Sequence, residues 1–269
     1  QYWLILRTDA NQSISEYNEN NNEVKLGSFT LTGPDLVCSE LALSGVLQPD
    51  RDITFSWRVA NEGHVTATAP WSDCLYLSTD PVLGSDFYLG SIGRNHHVAP
   101  HTDYTASLAM RLPDFPEGDY WLLAATDRNN IVQETNESNN LCILGPVSLR
   151  KPNLTIEAFS VPAPLDVRGR YTARWRVRNT GERPAYGVWS DGLLFSADDQ
   201  SGGDTRLAGL SGPTVLAPGE YYDRATSFTV PTVAEGGYWI ILQVDENRVV
   251  LETTQNDNVT SRGPIAVFR

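Results

Sequence analysis

Ile53-Thr54-Phe55-Ser56-Trp57-Arg58-Val59 alternates apolar and polar side chains at every step. Ile53, Phe55, Trp57 and Val59 therefore point one way and the residues between them the other, as in a strand with one wet face. The pattern returns 118 positions later, with Tyr171, Ala173, Trp175 and Val177 inward and Thr172, Arg174, Arg176 and Arg178 outward. Trp57 and Trp175 are the expected core anchors.

The same shift aligns the chain on itself without gaps. Pro34 falls on Pro152, Trp71 on Trp189, Asp73 on Asp191 and Pro100 on Pro218. The end of the unit occurs three times, at Tyr2-Trp3, Tyr120-Trp121 and Tyr238-Trp239. Asp9, Asp127 and Asp245 follow, then Glu16, Glu134 and Glu252, then Asn22, Asn140 and Asn258. An internal repeat in one frame sets the organisation: a partial unit (1–32) and two full units (33–150 and 151–269). Period-two runs recur near 35–45, 71–78, 86–92, 102–112, 119–126 and 141–149, separated by turn clusters such as Asn61-Glu62-Gly63 and Pro116-Glu117-Gly118. No segment holds a helical period. About seven strands per unit predict an all-β chain of tandem immunoglobulin-like antiparallel β-sandwiches.

Residues 1–32 hold only the last two strands of a unit, and an isolated hairpin is marginal in water. Either the missing strands lie upstream in a longer array, or another molecule supplies them by strand complementation. The short Pro-containing joints, such as Leu149-Arg150-Lys151-Pro152, predict a semi-rigid head-to-tail rod.

Among the 269 residues, 33 acidic and 20 basic side chains leave a net charge of −13. That balance argues against nucleic acid and against an anionic membrane surface. No apolar stretch reaches the roughly 20 residues that span a bilayer. Charge is uneven: the full units carry −9 and −2. Only Lys25 and Lys151 among the basic residues are lysines. Catalysis is not expected, because no nucleophile elbow, phosphate-cradling loop or Cys–His pairing occurs.

Pro34-Asp35-Leu36-Val37, Trp71-Ser72-Asp73, Leu75-Tyr76-Leu77-Ser78-Thr79-Asp80 and Gly118-Asp119-Tyr120-Trp121-Leu122-Leu123 stand in order along the unit, closed by Glu134-Thr135-Asn136-Glu137-Ser138-Asn139-Asn140. This set resembles the CARDB repeat, the cell-adhesion-related domain found in bacteria, over both full units and the tail of a third. The resemblance implies an immunoglobulin-like sandwich, a prokaryotic extracellular or cell-surface setting, and tandem use in large surface proteins. The last unit departs from it at Phe195-Ser196-Ala197-Asp198 and at Thr254-Gln255-Asn256-Asp257-Asn258.

The closing hairpin is the richest chemical constellation. It offers Asp9, Asn11 and Glu16 in the partial unit, and Asp127, Asn129, Glu134 and Glu137 in the middle one. Asp245, Asn247 and Glu252 stand in the last. Oxygen donors crowded into one loop suit calcium. The alternative is that Asp127 and Asn129 close the turn through Asx hydrogen bonds, Asn140 ties down backbone, and Glu134 and Glu137 are solvated. A second acidic loop holds Asp80 and Asp86, matched by Asp198, Asp199 and Asp204; it either binds calcium or is simply solvated. His96, His97 and His101 read as incidental loop histidines. Cys38 and Cys142 lie on first and last strands, so a bridge is geometrically conceivable; Ile156 and Thr260 replace them in the last unit.

Two features suggest contacts with copies of the same protein. The strand through Trp121, Leu123 and Ala125 is apolar at both parities, so these side chains lie either on an outer face open to another chain or under a loop or a neighbouring unit, and Trp3 and Trp239 hold the Trp121 position. Arg174, Arg176 and Arg178 form a basic stripe that either meets the acidic loops of a neighbour or is simply a solvated strand face. The expected function is that of a non-catalytic extracellular structural or adhesive repeat in a rod or fibre. A carbohydrate-binding or spacer module of a secreted enzyme, with glycans as partners, is the competing expectation.

Overall fold

The computed structural model describes residues 2–269. Among these the chain consists of β-strands, one short 3-10 turn at Glu19–Asn21 and no α-helix. No helix is long and apolar enough to cross a membrane. A separate hairpin, β1 (Tyr2–Arg7) with β2 (Glu23–Phe29), comes first. Next come β3 (Leu36–Ser44), β4 (Asp52–Asn61), β5 (Trp71–Ser78), β6 (Phe87–Arg94), β7 (Asp103–Arg111), β8 (Gly118–Ala125) and β9 (Leu141–Leu149). They form a three-stranded sheet in the order β3-β4-β7 and a four-stranded sheet in the order β6-β5-β8-β9.

The second copy continues with β10 (Leu154–Ser160), β11 (Leu165–Asp166), β12 (Arg170–Asn179), β13 (Ala185–Tyr186) and β14 (Ser190–Ser196). It ends with β15 (Thr205–Ser211), β16 (Val215–Leu216), β17 (Tyr221–Thr229), β18 (Gly236–Gln243) and β19 (Val259–Phe268). Its sheets run β10-β12-β17 and β11-β19-β18-β14-β15, with a small β13-β16 pair. The extra strand β11 pairs parallel with β19, Leu165 opposite Val267. The two copies thus share one architecture, an immunoglobulin-like β-sandwich.

Alternation decides which side chains enter the cores. Ile53, Phe55, Trp57 and Val59 are buried, as are Trp71, Leu75, Leu77, Leu122 and Ala124. In the second copy Trp175, Val177, Trp189, Leu193, Ile240 and Leu242 join one core cluster. Burying a side chain such as Phe55 or Leu122 contributes roughly 1.5–3 kcal/mol, so these layers are the main stabilising term. Cys38 and Cys142 form a disulfide, with Cα atoms 5.1 Å apart, while Cys74 is a free, buried thiol.

By contacts the chain divides into two compact units. The first comprises the segments up to Leu43, Thr54–Leu108 and Trp121–Gly145; the second comprises Ser44–Ile53, Ala109–Tyr120 and Pro146–Arg269.

The repeated hairpin clasp and candidate binding surfaces

After the inner strand, Asn61 turns its side chain into a corner brace. Its Oδ1 accepts from the N–H groups of Asp35 and Gly63, and its Nδ2 donates to the carbonyls of Val65 and Val98. Asn179 repeats this with Asn153, Gly181, Arg183 and Leu216. A side chain at Gly63 or Gly181 would run into the backbone of the incoming first strand, so the corner requires glycine there.

The closing hairpins are built alike. Asp127 lies in the left-handed region (φ 39°), and its two oxygens accept from the N–H groups of Ile131 and Val132 at 3.0 and 2.7 Å. Asp245 holds Val249 and Val250 at 2.9 Å each. Asp9 holds Ser13 and Ile14 at 2.7 and 2.9 Å. Short acidic side chains tolerate this backbone and offset its cost by capping the turn. Burial pushes the carboxyls of Asp127 and Asp245 up, partly countered by those N–H donors.

Glu134 reaches from the hairpin to the first strand. One oxygen accepts from the N–H of Leu36, and the other from Asn140 Nδ2 at 2.7 Å. Glu252 does the same with Leu154 and with Asn258 Nδ2 at 2.8 Å, and also accepts from Gln255 Nε2. Burial pushes both carboxyls up to about 7, against the pull of these donors. These glutamates are therefore clasps between the ends of a unit rather than the solvated groups that the turn-closing alternative expects. Glu16 has the same hairpin around it, with its own N–H on Glu19 as that of Glu134 is on Glu137, yet its side chain is exposed.

Among the remaining hairpin residues, Asn11 and Asn129 are exposed, and Asn247 Oδ1 accepts from the N–H of Ser190 at 3.2 Å. The oxygen atoms thus serve the backbone one by one. Among the described residues no group of three or more His, Cys, Asp or Glu side chains is arranged to hold a metal ion. The second acidic loop follows suit: Asp80 and Asp86 accept from Val82 and Gly84, and Asp198 and Asp204 from Gln200 and Gly202. His97 Nδ1 accepts from the N–H of Ala69, and His101 stacks edge-on with His64.

A buried acid in each core carries more structure than the sequence reading assigned it. Asp73 accepts from Tyr104 Oη at 2.7 Å and Thr126 Oγ1 at 2.6 Å. Asp191 accepts from Trp175 Nε1 at 2.8 Å and from Tyr222 Oη. Burial pushes the Asp191 carboxyl and both tyrosine hydroxyls up. The available signal was the match of Trp71-Ser72-Asp73 to Trp189-Ser190-Asp191.

The expected outer apolar strip does not form. Leu123, opposite Tyr76, and Ala125, opposite Cys74, are buried, and Trp121 and Trp239 are half-buried. Trp3 alone of the three is exposed. The basic stripe is also divided. Arg176 is paired bidentately with Asp223, and Arg178 with Glu157. Arg174 is exposed and has no ion-pair partner among the described residues.

A family model, CARDB, matches residues 33–143 and 151–262. No curated protein matches the chain. Among solved structures, a CARDB domain of Pyrococcus furiosus crystallised in complex with di-metal ions is 23% identical; the match covers 44% of this chain and 96% of that one at a TM-score of 0.35. The solution structure of that domain gives 24% identity with the same coverage and TM-score. Red sea bream transglutaminase is 16% identical over 86% of this chain and 31% of its own, at a TM-score of 0.32. With both full repeats matched, the chain belongs to the CARDB family, a family of cell-adhesion-related domains.

Proposed function

We propose that the chain is a non-catalytic structural and adhesive segment of an extracellular rod or fibre, in which the β1–β2 hairpin is completed by strands of a neighbouring molecule. One observation carries this reading. Leu4 is 56% exposed, whereas Leu122 and Ile240, at the same repeat position, are 0% and 1% exposed. Tyr2 and Leu6 stand equally open against buried Tyr120, Ala124 and Leu242. Strands so apolar on an unpaired edge seek a partner sheet. The repeated carboxylates support a mechanical role, because Asp127, Glu134 and their copies hold the unit's own backbone instead of converging on a cleft.

Leu4→Asp combined with Leu6→Asp tests the reading by sedimentation velocity and electron microscopy. Wild-type chains should associate into elongated particles, and the variant should remain single with both complete repeats melting as before. A wild-type chain that stays single at all concentrations, or a variant that assembles equally well, overturns it.

A further inference from the structure

The outer face of the β10-β12-β17 sheet carries an open trough of about 650 Å³. Cross-strand register explains it. Arg174 lies between Ser160 and Ala225, and Arg176 between Ala158 and Asp223, so small side chains form the floor between long ones. Glu157 and Asp223 neutralise Arg178 and Arg176. Among the described residues Arg174 is left without an ion pair, and Arg224, which also lines the trough, spends its guanidinium on the Ser211 carbonyl and the Tyr222 ring, so the trough carries positive charge in excess. The corresponding face of the other repeat has Ser56, Ala42 and Ser107 at the positions of Arg174, Ser160 and Ala225, and so lacks this feature.

The complementary feature lies on that other repeat, which holds −9 of the chain's charge. Its loop between β5 and β6 presents Val82, 68% exposed, between Asp80 and Asp86. Each of these acids gives one oxygen to the loop backbone, Asp80 to the Val82 N–H at 2.8 Å and Asp86 to the Gly84 N–H at 2.7 Å, and keeps the other. The matching loop of the second repeat, Asp198 to Asp204, has Gln200 where Val82 stands and presents no apolar tip.

We infer that the trough receives the Asp80–Asp86 loop of a second copy, with Val82 over Ala158 and Ala225 and the two carboxylates on Arg174. Knob and trough are different surfaces, so a single such contact leaves one free knob and one free trough for further copies. Charge complementarity fixes the register of such a contact more than its strength. The assignment rests on the reading that copies associate, but it names a different surface from the hairpin.

The test uses the chain's poverty in lysine. Arg174→Lys adds one amine to a chain whose other lysines are Lys25 and Lys151. Isotopically light and heavy chains are mixed, treated with a zero-length carbodiimide and mapped by mass spectrometry, with sedimentation run in parallel. Mixed-isotope links from position 174 to Asp80 or Asp86 are expected, and Asp80→Asn with Asp86→Asn, which removes the reacting carboxylates and so abolishes the links, should weaken association seen by sedimentation about fivefold, the worth of an exposed ion pair. Association without those links overturns the trough assignment and leaves the fibre reading standing. Absence of association overturns both.

Discussion

In the first repeat Trp57 Nε1 is buried with no hydrogen-bond partner, whereas in the second Trp175 Nε1 donates to Asp191 at 2.8 Å. One position beside the acid differs between the copies. Thr126 in the first is Val244 in the second, and the threonine hydroxyl donates to Asp73 at 2.6 Å where the valine has no donor. The copies differ at a second place too, where Cys38–Cys142 in one corresponds to Ile156 and Thr260 in the other. A repeat frame thus preserves the strands and clasps while the polar partners inside each core are reassigned. A buried donor left alone costs about 1–3 kcal/mol, and the disulfide more than offsets that cost in the first repeat.

Reduction should separate the copies most strongly. The bond joins cysteines 104 positions apart, and loss of a cross-link over such a span costs about 5 kcal/mol. Hydrogen exchange with and without reductant should show β3–β9 opening far more readily and β10–β19 unchanged. Equal loss in both copies would mean that the first repeat does not depend on its bridge.

The clasp should come next. Glu252→Ala leaves the Leu154 N–H unsatisfied and removes one of the two acceptors of Asn258 Nδ2, which keeps Gln255 Oε1, costing the second repeat about 2–3 kcal/mol. Its titration has a defined sign. The Glu252 carboxyl is raised from 4.5 to about 7 in the folded chain, so the folded state binds more protons than the unfolded one in that window. This contribution to stability is fully present below about pH 4.5 and fades as pH rises through 7. Melting of wild type relative to Glu252→Gln should therefore decline from pH 5 to 7.5. A difference that is flat with pH would show that the carboxyl is not held as described.

Thr126→Val is the smallest change and the sharpest test of the comparison. It frees an Asp73 oxygen for Trp57 Nε1, exchanging one buried hydrogen bond for another, so stability should shift by less than about 1 kcal/mol. The indole proton resonance of Trp57 should move downfield toward that of Trp175; an unmoved resonance would mean that Thr126 is not what keeps the indole unpaired.

Much of this was legible in the chain itself. The period of Ile53 to Val59 places Trp57 in the core, and the 118-residue shift carries the result to Trp175. Asp127 and Asp245 cap their turns because the partners lie four and five residues away. Glu134 was harder, since its partner is the backbone of Leu36, 98 positions upstream, and nothing in its neighbours announces burial. The ion pairs of the Arg stripe were hidden for a related reason. Asp223 and Glu157 face Arg176 and Arg178 from adjoining strands, and that register is set by folding rather than by local pattern. Trp121 misled because both faces of its strand are covered in the folded unit.

The disulfide also governs how a pulled chain lengthens. Tension entering at Pro34 and leaving at Leu149 passes through the sulfur bridge, so the 104 chain steps from one cysteine to the other carry no load. At about 3.4 Å each, roughly 350 Å of contour length is locked away from extension. The second copy has no such shortcut and can unravel from end to end. Oxidised, the pair acts as an inextensible link in series with a yielding one.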